Sequence, residues 1–188
     1  ISAFLTIGGN FDPTSARKFV EKYFSAIPSG KPAGWANVPD SFTPIGYGAF
    51  MREDRVGFNQ VHLLFPTVRV GHPDEPVLRL ITKLLSGSAN ALLQANLVKT
   101  NPLVHSVEVT HNANELAGNF WITVTCKLET RLTSVYAQVM RVLEAVASEG
   151  VTESELTAAR NQSAMEFYSP LELFYGFGGR CDLMNLGN

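Results

Sequence analysis

Two segments of strict alternation constrain this chain more than any other feature. Val107, Val109 and His111 fall on one face of an extended segment, opposite Ser106, Glu108 and Thr110. After a polar stretch from Asn112 to Asn119, the pattern resumes, with Phe120, Ile122, Val124 and Cys126 set against Trp121, Thr123 and Thr125. A period of two sends successive side chains to opposite faces of a strand, so each segment reads as a strand with one apolar and one polar face. Their succession predicts an antiparallel hairpin closed by a long loop. A further strand is expected from Arg55 to about Phe65, with Val61, Leu63 and Phe65 on one face and His62 and Leu64 on the other, ended by Pro66.

The apolar face of such a sheet needs a cover, and the remaining periodicity supplies helices. After the turn Gly71-His72-Pro73-Asp74, Val77, Leu80, Ile81, Leu84 and Leu85 form a helical stripe. Ser86-Gly87-Ser88 breaks that helix, and a shorter one is expected from Ala89 to Lys99. Leu132, Val135, Val139, Val142, Leu143 and Val146 mark the inward face of a long helix that Gly150 caps. Thr152-Glu153-Ser154-Glu155 has the form of a capping box opening another helix, interrupted at Ser169-Pro170 and resuming toward Leu186. From Arg55 onward, few strands and long helices predict an α+β fold, a two-layer lobe with an antiparallel sheet and helices packed on one face.

The first 30 residues stand apart. Phe4, Leu5 and Ile7 read as the end of a strand, and Gly8-Gly9 as its turn. Asp12 suits an N-cap, with Pro13 at the first helical position. Ala16, Phe19, Val20, Tyr23, Phe24 and Ile27 then predict an amphipathic helix that buries one face and stops at Pro28. Residues 31–54, rich in Pro, Gly, Asn and Ser, lose all periodicity and read as an ordered linker, with Trp35, Phe42, Tyr47 and Phe50 as anchors.

Composition excludes several function classes. A net charge of −2 over 188 residues, with both signs interspersed, leaves no basic face for nucleic acid. No apolar run approaches the ~20 residues of a membrane span, and no signal peptide is visible. Cys126 and Cys181 lie far apart without a C-x-x-C pattern, which fits one disulfide or, more simply, two buried free thiols.

Four features of the sequence invite a chemical reading. Gly8-Gly9 between strand and helix invites a phosphate-loop reading, but the third glycine is missing and Asp12 places negative charge where an anion would bind. His105 and Glu108 have half the spacing of a zinc motif, yet a strand puts them on opposite faces, and the helical second histidine is absent because position 109 is Val. His111 shares a face with His105 at roughly 20 Å along an extended chain, and His62 and His72 have no sequence-local partner. Asn161-Gln162-Ser163 matches a glycosylation sequon inside an expected helix, and Gly176-Phe177-Gly178-Gly179 reads as helix punctuation or a hinge. No catalytic and no metal-binding residue is assigned.

The order of segments resembles a known family. Leu5-Thr6-Ile7-Gly8-Gly9-Asn10-Phe11-Asp12-Pro13, followed by Phe19-Val20-Glu21-Lys22-Tyr23-Phe24 and Ile27-Pro28, is similar to the strand and helix that close the first lobe of the pitrilysin or insulinase-type zinc peptidases, which include the mitochondrial processing peptidases. Gln60-Val61-His62-Leu63-Leu64-Phe65-Pro66 resembles the first strand of that family's second lobe, and Leu84-Leu85-Ser86-Gly87-Ser88 its helix end. The hairpin, two long helices and Thr152-Glu153-Ser154-Glu155-Leu156 follow in family order.

The resemblance implies the LuxS and processing-peptidase metallohydrolase fold. It implies residues 1–30 as the tail of a preceding, missing lobe, 31–54 as linker, and 55–188 as a C-terminal-type lobe truncated at its end. The family's inverted zinc motif, His-x-x-Glu-His, belongs to the preceding lobe and is absent here. Zinc is therefore expected in that lobe and no cofactor in this chain, which alone should be inactive. The Arg and Tyr by which some members contact substrate fall near Asn90 or Ala91 and at His105, and neither matches.

The implied function is a non-zinc-binding lobe of a zinc metalloendopeptidase, forming a wall of the peptide-enclosing chamber. Its partners would be the zinc-bearing lobe or a partner subunit, and a peptide substrate. The alternative is a non-catalytic structural or partner-binding subunit of the same fold. An unrelated ligand-binding α+β domain would require a pocket gathering His62, His105 and His111. Family habit places a bacterial member in the periplasm.

Overall fold

The computed structural model describes residues 5–30, 48–173 and 178–186. The chain divides into two compact units, Val38–Ala164 and a second made of Ile1–Asn37 with Met165–Asn188.

The larger unit is built on a three-stranded antiparallel sheet of order β1-β3-β2, with β1 spanning Asn59–Thr67, β2 Val104–Ala113 and β3 Gly118–Cys126. The central strand β3 pairs along its whole length with both neighbours, so Ile122 lies between Leu63 and Val109, and Val124 between Val61 and Val107. The helices α2 (Glu75–Ser86) and α3 (Leu132–Glu149) and a π-helical turn at Gln94–Val98 contact the sheet or one another on one side. The core follows the expected alternation: Leu63, Val107, Val109, Phe120, Ile122, Val124 and Cys126 from the strands meet Leu85, Leu93, Leu97, Val135 and Val139. On the opposite sheet face the side chains are exposed or half-buried, and the expected two-layer α+β lobe is the observed one.

Four local expectations are corrected. The hairpin loop is short, because both strands run into the polar stretch and only residues 114–117 connect them, closed by Asn114 N–H to the Ala117 carbonyl at 3.1 Å. β1 starts at Asn59 rather than Arg55, and it continues through Pro66, which lies opposite Asn119 on an edge strand where a missing N–H costs no ladder bond. A register shift between Val104 and Ser106 makes His105 an extra, exposed residue, so it does not share the buried face of His111. In α2 the core stripe runs through Leu78, Ile81 and Leu85, while Val77 is 55% exposed.

The helix ends follow their sequence signals. Gly150, at φ 78°, ends α3 by returning its N–H to the Val146 carbonyl. Before α4 (Glu153–Glu172), the Glu155 carboxylate accepts from the Thr152 N–H at 2.8 Å and hydroxyl at 2.7 Å, while the Glu155 N–H reaches the Thr152 hydroxyl at 3.3 Å. These bonds, the Thr152 hydroxyl first, hold the Glu155 carboxyl below the usual range. Helix α4 carries Pro170 inside it and ends two residues later than expected.

In the smaller unit, α1 (Pro13–Phe24) is capped by Asp12, whose carboxylate accepts from the Ser15 N–H at 2.8 Å. Residues 5–8 form no strand, contrary to expectation, and pair with no strand among the described residues. Nor does α1 bury a face: none of its residues is buried, and Phe19, Tyr23 and Phe24 are 58%, 64% and 52% exposed. The Thr6 hydroxyl donates to the Asn185 amide oxygen in α5 (Arg180–Leu186). Gly8 lies so near α5 that a Cβ there would stand 2.5 Å from the Cys181 sulfur.

Of the expected linker, residues 31–47 lie outside the described residues, including Trp35, Phe42 and Tyr47. Residues 48–54 hold no regular structure, and Phe50, 96% exposed, is not an anchor.

The two sheet faces predict opposite sensitivities. Ile122→Ala, at a fully buried position of the central strand, should lower the unfolding free energy by about 2–5 kcal/mol in urea titration. Glu108→Gln, on the open face of the edge strand β2, should change it by less than about 0.5 kcal/mol.

Candidate functional site

The open sheet face carries Gln60, His62, Leu64 and Pro66 from β1, Asn119, Trp121, Thr123 and Thr125 from β3, and Ser106, Glu108, Thr110 and Asn112 from β2. Cross-strand hydrogen bonds lace it. The Gln60 amide donates to the Thr125 hydroxyl at 3.1 Å, and the Asn112 amide to Asn119 at 3.4 Å. At its centre the Trp121 indole N–H donates to His62 Nδ1 at 3.2 Å, with the rings edge to face at 5.8 Å. The Thr123 hydroxyl lies 3.2 Å from the same nitrogen. An indole can only donate, so Nδ1 is the acceptor in this contact. The exposed indole is thereby fixed in direction, with Leu64 directly opposite it on β1 and 57% exposed.

The four histidines do not converge. His62 belongs to the open face, His105 to the bulge of β2, and His111 to the helix-covered face. His72 sits in the turn before α2, where its Nδ1 accepts the Asp74 N–H at 3.1 Å. Among the described residues no three His, Cys, Asp or Glu side chains are grouped to hold a metal ion. The donor set does not fit a zinc site, and no metal-dependent step is assigned to it. Asn90 accepts from Lys99 Nζ at 2.6 Å, and Ala91 is buried. Both cysteines are free, Cys126 buried and Cys181 half-buried, and burial pushes the Cys126 thiol up. Asn161 lies inside α4.

A second polar constellation escaped the sequence because its members are brought together only by packing. Glu75, at the start of α2, is 8% exposed. Its two oxygens accept the Gly71 N–H at 2.8 Å and Arg79 Nη2 at 2.8 Å. The Gly71 bond is the main reason its carboxyl lies below the usual range, and burial opposes it. Beside it His111 holds the Thr67 hydroxyl at 3.0 Å by Nε2, while its Nδ1 is buried without a partner. Burial lowers the His111 pKa, Glu75 opposes, and Arg79 adds to the lowering. Glu75 thus bonds within α2 and the turn before it, His111 bonds from β2 to the end of β1, and the two groups meet through charge alone.

Its linkage to stability has a definite sign. A histidine whose pKa is depressed by folding binds fewer protons folded than unfolded, so its contribution is complete above its ordinary 6.5 and is lost as pH falls through the lower folded value. Glu75 is likewise depressed, but it responds only below its ordinary 4.5. Urea midpoints measured from pH 7.5 down to 5.5 should therefore carry a His111 component that His111→Gln removes. An unchanged pH slope in that variant would refute the assignment.

The family model for the peptidase M16 inactive domain matches residues 3–163. No curated protein matches. A protease from Helicobacter pylori superposes with a TM-score of 0.71 at 18% identity, over 89% of this chain and 41% of that one. A predicted insulinase-family protease from Yersinia pestis gives 0.61 at 17%, over 95% and 39%. A peptidase M16 inactive domain from Pseudomonas fluorescens gives 0.53 at 18%, over 58% and 26%. The chain thus spans less than half the length of each, and at these identities the superpositions speak to the fold alone. The family match covers most of the chain and agrees with the antiparallel sheet and helix layer just described, so the chain belongs to the peptidase M16 inactive-domain family.

Proposed function

We propose that this chain is the non-zinc-binding lobe of a zinc metalloendopeptidase, and that its open sheet face forms part of the wall enclosing an extended peptide. The observation that carries the reading is the asymmetry of the sheet. One face is covered by helices, while the other offers twelve strand positions, none of whose side chains is buried. Such a surface can hold a peptide beside chemistry supplied elsewhere. The zinc, the base and the scissile bond would then belong to another lobe, and this chain would orient and confine substrate.

Residues 1–30 are assigned to the preceding lobe, 31–54 to a linker, and 55–188 to the lobe proper. The support is α1, whose stripe of Phe19, Tyr23 and Phe24, with Leu5, Ile7 and Phe11 nearby, lines an open apolar hollow of about 440 Å³. Each large apolar side chain moved from water into a packed contact contributes about 1.5–3 kcal/mol, so a neighbouring lobe that closes this hollow would gain stability from it. A second reading, a structural subunit of the same fold without catalysis nearby, is favoured by the family description as an inactive domain.

The test compares the chain alone with the chain joined to the segment encoded before it. The chain alone should take up no stoichiometric zinc and cleave no peptide, and the joined protein should cleave unfolded peptides in a chelator-sensitive way. Zinc-dependent cleavage by the chain alone would refute the proposal. A joined protein without activity would favour the structural reading. Tyr23→Asp should lower the melting temperature of the joined protein while leaving that of the chain alone nearly unchanged, because Tyr23 is 64% exposed here.

A further inference from the structure

We infer that the open sheet face contains a subsite for a cationic side chain, arginine or lysine, of an extended peptide, formed by Trp121, Leu64 and Glu108. The inference rests on the peptide-enclosing reading above and specifies what the wall would recognise.

Three observations converge. First, Trp121 is 38% exposed but not free to turn, because its indole N–H is spent on His62. What it offers a ligand is π surface and hydrocarbon, and indole is the strongest cation-binding ring among the side chains. Second, Leu64 faces Trp121 directly across β1 and β3 and is 57% exposed. The pair gives an apolar bed for the methylene stem of a long basic side chain, whose head stays near water. Third, Glu108 is the one fixed charge among the twelve side chains of this face. It pairs with Thr123, whereas Trp121 pairs with Thr110, so Glu108 is the diagonal neighbour of the indole, at about 7–8 Å between backbones. Its carboxylate makes no hydrogen bond or ion pair with the described residues.

Charge decides the occupant. No lysine or arginine belongs to the face to neutralise Glu108. An anionic side chain laid over Trp121 would meet the carboxylate and the negative face of the ring, and a purely apolar one would leave Glu108 without a partner. A cation satisfies both groups at once. His62 orients the indole from the side away from Glu108, since the row His62, Thr123, Glu108 crosses the sheet from β1 to β2.

The experiment reads the Trp121 indole N–H in proton–nitrogen correlation spectra of the whole chain, distinguished from Trp35 by its loss in Trp121→Phe. Blocked five-residue peptides with central arginine, citrulline or glutamate are titrated to millimolar concentration. The arginine peptide should shift the Trp121 signal and the amides of residues 62–64 and 108–110, and bind about fivefold tighter than its citrulline isostere. Salt at 0.5 M should shrink that preference. Glu108→Gln should abolish it while leaving citrulline-peptide binding unchanged. Equal binding of all three peptides, or a preference that survives Glu108→Gln, would overturn the cationic subsite yet leave the peptide-holding wall in place. If none of the peptides moves the Trp121 signal, the subsite and the enclosure reading of this face fail together.

Discussion

The larger unit depends on the double pairing of β3. A two-stranded ribbon does not bury enough surface to stand in water, whereas a third strand with one apolar face gives helices something to cover. Because β3 hydrogen-bonds along both sides, Phe120, Ile122, Val124 and Cys126 are flanked on each side by a residue facing the same way. The helices then need only close one surface, and the π-helical turn presses Leu97 onto it. The same pairing commits Trp121, Thr123 and Thr125 to the other face. The open surface follows directly from the buried one, since side chains on one strand cannot be re-aimed separately.

The covering helices are also fastened to the strands by polar bonds. The Val109 N–H donates to the Ser86 hydroxyl, and the Val107 carbonyl accepts from the Gln94 amide. Side chains thus engage the outer edge of β2, which a neighbouring strand would otherwise seek. Gly118 marks the opposite kind of constraint. A Cβ there would run into the Val68 carbonyl and stand 2.7 Å from the Thr67 hydroxyl, so the turn into β3 can come this close to the end of β1 only without a side chain.

Much of this architecture is legible in the residues because alternation and helical stripes report local geometry directly. Gly150 and the Thr152 box were readable for the same reason: a cap is a contact within four residues. What escaped the reading is whatever depends on pairing. The bulge at His105 leaves no mark in composition, yet it removes that residue from the face alternation gave it. The strands run through Asn112 and Asn119, polar residues that look like loop until their side chains are seen to bond across the ladder. Amphipathicity of α1 says that a face favours burial, but not that anything in the chain buries it. The site divides likewise. The absence of a local zinc motif could be read from spacing, but the meetings of Trp121 with His62 and of His111 with Thr67 span 59 and 44 residues, and only the pairing of the strands joins them.

These two constellations differ in what they can do. Glu75 is paired with Arg79 and a backbone N–H, and His111 is turned inward with Thr67 on one ring nitrogen, so these two depressed pKa values come from packing and local bonds. A perturbed pKa here reports packing, and a functional site read from it would be misplaced. On the open face the relation is reversed. The His62–Trp121 bond holds a large aromatic surface toward solvent, and Glu108, its diagonal neighbour, makes no ion pair with the described residues. Ordering an exposed indole costs side-chain entropy, and the bond to His62 with the edge-to-face ring contact offsets that cost in the free chain. A ligand arriving at a surface already fixed avoids that cost on binding, which is why the rigid face rather than the buried cluster is the better candidate for recognition.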